Sequence, residues 1–404
     1  MAALPNPLLF LPRRLHGVLS ALLLALMAGC ASTVPPAPEA LLHDQLFAHP
    51  PRPAEADAVL ALSTAMQAHL EGLRRQISRP ADLPVALAES LYKPGGLRLD
   101  YDASFTRNAA QAFEARSGNC LSLVVMTTAL AQALGLEVGF QAVHGDALFR
   151  REGGLTLQTG HVNLVLGPRQ RQPTWAPASA DVVKNRLVID FLPQETARSL
   201  PAETINQARV LAMFMNNRAV ELLLAPPSAQ RPAQAYAWAR EALHRDPGFL
   251  AAYNTLGVVY QRAGHLDAAA ASYAQVLALD VRQVAAMANL AQVLRAQGRD
   301  HEAAAWEQRR LALEPHAPFH FLRLGQAALA AGDWALARQH FQRQLRSQPD
   351  AHEAWFGLAR VHVALGDTAL AEQALRRALE ASATVGEQAR YAGKLDALRA
   401  AVTH

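Results

Sequence analysis

A repeat of 34 residues in the C-terminal half is the feature that most limits what this chain can fold into. Four sets of glycine, alanine or large apolar residues recur at that spacing. They are Gly264, Gly298, Gly332 and Gly366; Tyr253, Met287, Phe321 and Trp355; Gly257, Ala291, Gly325 and Ala359; and Ala269, Ala303, Ala337 and Ala371. This period is typical of repeats built from two helices, with small residues where the helices cross closely.

These registers resemble the tetratricopeptide-repeat family, in which each unit holds two antiparallel helices. Prolines also recur, at Pro315 and Pro349, although Val281 replaces the preceding one. The resemblance implies an all-α solenoid over residues 206–404, with an irregular unit at its start and a cap helix at its C-terminus.

The family register also implies that the first helix of each unit lines a concave groove. Seven polar side chains would then point into the groove: Asn254, Gln261, Arg262, Gln292, Arg295, Gln326 and Arg360. A polar and mildly basic groove favours an extended or acidic protein or peptide partner. An ordinary solvated helix face is the alternative, and the sequence does not separate the two.

A cysteine stands at the start of a long apolar segment in the N-terminal half. Cys120 follows a polar turn over residues 116–119, and residues 120–134 are apolar on nearly every side. A helix without a polar face is buried, and the following Gly135 suits a left-handed C-terminal cap. Because a helix N-terminus attracts negative charge, it favours a thiolate at Cys120. The pattern therefore indicates a nucleophilic cysteine on the central helix of its domain.

The region around Cys120 resembles the transglutaminase-like superfamily. The matching segments are residues 113–123, 160–166 and 187–191. The resemblance implies a papain-like catalytic triad, with Cys120 as nucleophile, His161 as base and Asp190 as the group that orients the base. The chain order cysteine, histidine, aspartate agrees with the family.

Several alternatives stay open at this site. Val162 stands where the family often has an aromatic residue, and His144 competes with His161 as the base. Asn163 contacts either the substrate or solvent, and solvent is the commoner environment for such a strand residue. The Cys120 backbone N–H is the expected oxyanion donor, without a second donor assigned. Simple burial is the alternative for a free cysteine.

Apolar spacing changes from helical to alternating after Gly135. It predicts helices over residues 54–77, 106–115 and 120–134, and strands over residues 138–143, 155–157, 161–166 and 187–192. A buried helix packed on a small antiparallel sheet is an α+β arrangement. Together with the resemblance, this order predicts an α+β papain/transglutaminase-like domain over residues 44–205.

The first 29 residues are typical of an export signal. Two arginines precede an apolar run over residues 18–28 that is too short to span a bilayer. Residues 26–30 resemble a bacterial lipoprotein signal, which implies lipid on Cys30 and a location on the periplasmic face of the outer membrane. An ordinary secretory signal is the alternative. Residues 30–43 form a proline-rich tether.

Charge and motifs exclude other classes of function. Without the two arginines of the signal, 36 of the 38 basic residues remain against 34 acidic ones, a net charge of +2. That balance gives no reason to expect nucleic-acid binding. The chain has no Walker, GxGxxG, HExxH or CxxC motif, and His316 and His320 lack a third ligand nearby. No metal or cofactor is therefore expected.

The three resemblances together predict a cell-envelope lipoprotein with a cysteine peptidase, amidase or acyltransferase domain. Cys120 would attack a peptide or amide carbonyl and form a thioester, which water or an amine would resolve. The repeats would recruit a protein substrate or partner. The alternative is a non-catalytic envelope scaffold that uses both parts for protein–protein interaction.

Overall fold

The computed structural model describes the chain from Pro38 onward, with gaps. The described residues are 38–93, 96–102, 104–143, 149–152, 155–158, 161–167, 186–191, 202–313, 319–382 and 385–402. They fall within one compact unit. The predicted signal peptide, Cys30, His144 and His316 lie outside the described residues.

Within the described residues, three α-helices and two short strands precede Cys120. They are Thr64–Gln76 (α1), Leu83–Tyr92 (α2), Asp100–Tyr101 (β1), Ala109–Ala115 (α3) and Ser117–Gly118 (β2). Helices α1 and α3 begin later than the apolar spacing indicates, because a polar side chain caps each start. Ser63 accepts the N–H of Met66 before α1, and Asn108 forms a capping box with Gln111 before α3.

The central helix, Cys120–Ala133 (α4), has the buried character that its sequence predicts. Every residue from Leu121 through Ala131 is buried. Gly135 follows with a φ of 74°, and its N–H donates to the carbonyl of Gln132. This is the left-handed C-terminal cap that the glycine predicts.

Helix α4 contacts two strands of a four-stranded antiparallel sheet. The strands after α4 are Glu137–Val143 (β3), Phe149–Glu152 (β4), Leu155–Gln158 (β5), His161–Gly167 (β6), Leu187–Ile189 (β7) and Ala202–Ile205 (β8). The sheet has the order β7-β6-β3-β8, and β4 pairs with β5 separately. The sequence pattern predicts β3, β5, β6 and β7. It misses β4 and β8 because neither alternates apolar with polar residues.

Eleven helices lie after the sheet in the described residues, and all but one of the consecutive pairs pack closely together. They are Gln207–Leu224 (α5), Arg231–Arg245 (α6), Leu250–Arg262 (α7), Leu266–Leu279 (α8), Val284–Ala296 (α9), Asp300–Leu313 (α10), His320–Ala330 (α11), Trp334–Ser347 (α12), His352–Leu365 (α13), Thr368–Glu380 (α14) and Val385–Val402 (α15).

The glycines of the 34-residue period sit in the turn within each helix pair from α7 to α14. The four residues have φ angles between 73° and 83°, a left-handed conformation that glycine adopts without steric cost: Gly264, Gly298, Gly332 and Gly366. The period therefore reflects a backbone requirement of the turn.

A second register of the period reflects close packing between paired helices. A Cβ atom on Gly325 in α11 would lie 2.6 Å from the ring of Phe341 in α12, and one on Gly257 would lie 2.5 Å from Tyr273. Ala337 in α12 is fully buried. The expectation that small residues occupy the helix crossings is confirmed.

The apolar core of the described repeats divides between α10 and α11. One cluster of buried residues ends at Ala303 and the other begins at Phe319. At equivalent register positions, Leu277 is 6% exposed whereas Leu311 in α10 is 44% exposed. The 34-residue spacing itself continues across this division, from Gly298 to Gly332.

Adding one methyl group at Gly325 should destabilise the repeats. Gly325→Ala places a Cβ against the buried Phe341 ring, so we expect a loss of about 1–3 kcal/mol in the free energy of unfolding. Gly393→Ala is the matched control, since nothing lies within 4 Å of a Cβ there. The control should gain about 0.5–1 kcal/mol, because alanine favours a helix over glycine. Urea unfolding followed by circular dichroism measures both, and equal effects would contradict the proposed crossing.

Candidate functional site

Cys120 is the first residue of α4 and is positioned by the turn before it. The N-cap residue Asn119 accepts, through Oδ1, the Ser122 backbone N–H and the Ser122 hydroxyl, each at 2.8 Å. A Cβ on Gly118 would lie 2.6 Å from Cβ of Ser122, so a glycine is required at this close approach. Cys120 itself is half-buried, unlike the eleven residues that follow it. It also packs against the hydrophobic core, so a packing role stays the alternative to a nucleophile.

His161 and Asp190 come together at the start of β6. Strand β7 pairs beside β6, with Leu164 opposite Ile189, and Asp190 is the first residue after β7. The His161 Nε2 atom lies 2.8 Å from Asp190 Oδ1, and the histidine is only 3% exposed. Within the described residues, the other ring nitrogen, Nδ1, is buried and makes no hydrogen bond.

Both predicted partners of His161 affect its pKa. Burial lowers the pKa of His161. The hydrogen bond with Asp190 and the nearby Cys120 sulfur outweigh burial and raise this pKa from 6.5 to about 9. Among the described residues Nδ1 has no hydrogen-bond partner of ordinary geometry, and the Cys120 sulfur raises the pKa through a weak hydrogen-bonding contact and through its charge. The imidazole is thus protonated at neutral pH.

This geometry can support proton transfer next to a nucleophile. Asp190 holds one ring nitrogen of His161, which leaves Nδ1 to exchange a proton at the site. As the first residue of a helix, Cys120 also has a backbone N–H without a partner inside the helix, suited to a developing oxyanion. The catalytic roles of Cys120, His161 and Asp190 stay predictions.

Asn163 is buried rather than facing solvent. It is 7% exposed, and its Oδ1 makes no hydrogen bond within the described part of the chain. The solvent-facing alternative is wrong, because the residues of β6 are buried on both of its faces.

Two residues near the site were not singled out by the sequence. Tyr92, at the end of α2, donates its hydroxyl to the backbone carbonyl of Asp190 at 3.5 Å. Burial, together with the charge of Asp190, raises the pKa of Tyr92. Thr106 bonds to the side chain of Asn119 at 2.9 Å. Neither residue belongs to a periodic pattern, so nothing in the sequence marks either one.

The seven predicted groove side chains differ in their surroundings. Five are exposed: Arg262, Gln292, Arg295, Gln326 and Arg360. Three bond within the protein, the exposed Arg262 among them. They are Asn254, which accepts from Asn289 at 3.0 Å; Gln261, which accepts from the Tyr273 hydroxyl at 3.0 Å; and Arg262, which donates to the carbonyl of Leu223. Gln292, Arg295, Gln326 and Arg360 are therefore the side chains most available to a partner.

The described residues contain no group of three or more side chains that would hold a metal ion. None of their helices has the length and apolarity needed to cross a bilayer.

The successive helix pairs with glycine turns define a helical-repeat protein. Residues 254–318 and 322–385 match the family model of the tetratricopeptide repeat. These segments are tetratricopeptide repeats, which stack on their neighbours and present extended binding surfaces to protein partners. The resemblance seen in the 34-residue period is confirmed.

Solved structures are similar to about half of this chain. The Cut9–Hcn1 hetero-tetramer of APC/C is 19% identical over 46% of this chain and 36% of that chain, with a TM-score of 0.27. YrrB, a tetratricopeptide-repeat protein with an unusual peptide-binding site, is 20% identical over 46% of this chain and 92% of that chain, with a TM-score of 0.24. PilF of Pseudomonas aeruginosa is 21% identical over 48% of this chain and 92% of that chain, with a TM-score of 0.26. No curated protein matches the sequence significantly.

The raised pKa of His161 should make the stability of the fold depend on pH. Because the folded value of about 9 exceeds the unfolded 6.5, the contribution is complete below 6.5 and is lost as pH rises through 9. Between these values the wild type should lose up to about 3 kcal/mol more free energy of unfolding than His161→Gln. Urea unfolding at several pH values measures this difference. The exposed His301→Gln should keep the wild-type dependence, and equal slopes for wild type and His161→Gln would contradict the prediction.

Proposed function

We propose that this protein is a cell-envelope lipoprotein with a transglutaminase-like cysteine hydrolase or acyltransferase domain and a partner-binding repeat domain. One observation carries the enzymatic part. His161 is held by Asp190 through Nε2, its Nδ1 is buried without a hydrogen bond in the described residues, and its pKa responds to the Cys120 sulfur. A structural histidine in a core would use both ring nitrogens, because an unpaired buried polar atom costs free energy.

The proposed reaction begins with Cys120 and His161 as an ion pair. The Cys120 Sγ atom attacks the carbonyl carbon of a peptide or amide bond, and the oxyanion forms beside the Cys120 backbone N–H. Collapse breaks the C–N bond, the His161 imidazolium gives its proton to the leaving amine, and a thioester remains. Neutral His161 then takes a proton from water or from an acceptor amine, whose attack on the thioester frees Sγ. Asp190 keeps the ring oriented throughout.

The repeats supply the second half of the proposal. Tetratricopeptide repeats bind protein partners, and the exposed side chains Gln292, Arg295, Gln326 and Arg360 favour an acidic or extended peptide. In this proposal the repeats recruit a protein substrate or an assembly partner. A purely non-catalytic scaffold in the cell envelope is the second candidate, and the match of residues 254–318 and 322–385 to an interaction module favours it.

The proposed location follows from the signal in the sequence. Residues 26–30 resemble a lipoprotein signal ending at Cys30, so the protein would be anchored by lipid on the periplasmic face of the outer membrane. The proline-rich tether after Cys30 would let the folded part stand away from the bilayer surface.

Alkylation of Cys120 by iodoacetamide tests the enzymatic proposal. In the native protein at neutral pH, Cys120 should react faster than in the urea-unfolded chain, because an adjacent imidazolium stabilises the reactive thiolate. His161→Ala should move the pH profile of the reaction to higher pH. Asp190→Asn should move it less, because the aspartate acts mainly by orienting the ring.

Mass spectrometry of the Cys120 peptide gives the rates, and the exposed His301→Gln is the matched histidine control. If Cys120 reacts only on unfolding, with or without His161, the thiol is a packing residue. The scaffold candidate would then replace the enzyme.

Lipidation is tested by Cys30→Ser in a bacterial host. Each buried CH₂ of an acyl chain contributes about 0.8 kcal/mol to membrane binding, so losing the attachment site should release the protein from the membrane fraction. Cys120→Ser is the matched control and should stay with the membrane. A Cys30→Ser protein that remains membrane-bound after a high-salt wash would rule out the lipid anchor.

A further inference from the structure

The helix α5, which leads into the repeats, reaches the turn that carries Cys120. The connection runs through Thr106, which is 1% exposed and precedes α3. Its Oγ1 accepts from Asn119 Nδ2 at 2.9 Å and from Asn217 Nδ2 in α5 at 3.3 Å. Its backbone N–H donates to Glu221 Oε1, also in α5, at 2.5 Å. One buried threonine thus links the N-cap of the cysteine helix to two side chains of α5.

Both polar atoms of the Asn119 side-chain amide make hydrogen bonds. Its Oδ1 accepts the backbone N–H and the hydroxyl of Ser122, and its Nδ2 donates to Thr106. Ser122 is fully buried and also accepts the backbone N–H of Arg107 at 2.8 Å. Because Asn119 immediately precedes Cys120, the orientation of this amide sets the direction in which α4 begins.

The surroundings of Glu221 favour its hydrogen bond with the Thr106 backbone N–H. Burial raises the pKa of Glu221, opposed by its bonds with Thr106 and Arg218. The other carboxylate oxygen, Oε2, accepts from Arg218 at 2.8 Å. Partial burial of a carboxylate is tolerated only where its oxygens accept hydrogen bonds. Breaking the bond to Thr106 would therefore leave an unpaired acceptor, which costs free energy. The contact therefore resists being broken.

We infer that Glu221 and Asn217 of α5 are positioning residues for Cys120, acting through Thr106 and Asn119. This inference rests on the proposed role of Cys120 as a nucleophile and extends it. Helix α5 packs against α6 and α7, so the start of the repeats supports one end of the candidate site. The reactivity of Cys120 then depends on where α5 lies, and a partner that displaced α5 would alter it.

Conservative pairs of variants separate positioning from stability. Thr106→Val removes the hydroxyl that accepts the hydrogen bond from Asn119, whereas Thr106→Ser keeps this hydroxyl. Glu221→Ala removes the carboxylate, whereas Glu221→Gln keeps an oxygen for the Thr106 N–H. The rate of iodoacetamide alkylation of Cys120 at neutral pH should fall about two- to tenfold in Thr106→Val and Glu221→Ala, the factor that one hydrogen bond is worth. The Ser and Gln variants should recover most of the wild-type rate.

The pH profile and a far-ultraviolet circular-dichroism melt are recorded for every variant. Asn289→Ala removes a similar half-buried amide bond, to Asn254, far along the repeats, and should leave the alkylation rate unchanged. A purely structural role would lower the melting temperature without changing the rate or profile of the folded protein, and that result overturns the inference.

The outcomes also distinguish this inference from the proposed function. If wild-type Cys120 is activated and depends on His161, but Thr106→Val and Glu221→Ala react like the wild type, only the inference falls. If the wild type is unreactive with or without His161, both fall, because no nucleophile needs positioning.

Discussion

Burial of α4 is the constraint on which the N-terminal part of the structure depends. The helix contacts the helices α1, α3 and α5 and the sheet strands β3 and β6. The core residues Val162, Leu164 and Leu166 of β6 are fully buried. A helix enclosed in this way can offer chemistry only at an end. The Gly135 turn closes its C-terminal end, which leaves the N-terminus and the half-buried Cys120. Unpaired N–H groups at that end attract negative charge.

The same burial explains why polar side chains gather around Cys120. A buried helix start exposes backbone donors to an apolar interior, and unpaired polar groups there cost free energy. Asn119 and Ser122 satisfy part of this requirement within the turn, and Thr106 extends the bonding to α5. The hydrogen bond with the carboxylate of Asp190 compensates for the burial of His161. The polar groups that surround the candidate nucleophile are thus also the groups that make its burial tolerable.

Features with a local cause were predictable from the sequence. The apolar run of α4, the alternation in β6 and the glycines of the repeats each report a backbone or burial requirement within a few residues. Features with a remote cause were missed. Asn163 was expected to face solvent but is buried, and the bonds of Gln261 to Tyr273 and of Arg262 to Leu223 were not predicted. Their neighbours come from other helices or strands, which periodicity cannot specify.

The tetratricopeptide repeats, the buried cysteine helix with its cap and the three candidate residues were recognisable from the sequence. Folding brings His161 to Asp190 across 29 residues, raises the pKa of the imidazole to about 9, and brings Thr106 to Glu221 across 115 residues. The difference lies in the range of the interactions. Helix and turn formation follow from neighbouring residues, whereas a proton affinity or a hydrogen-bond partner depends on atoms that folding brings together from distant parts of the chain.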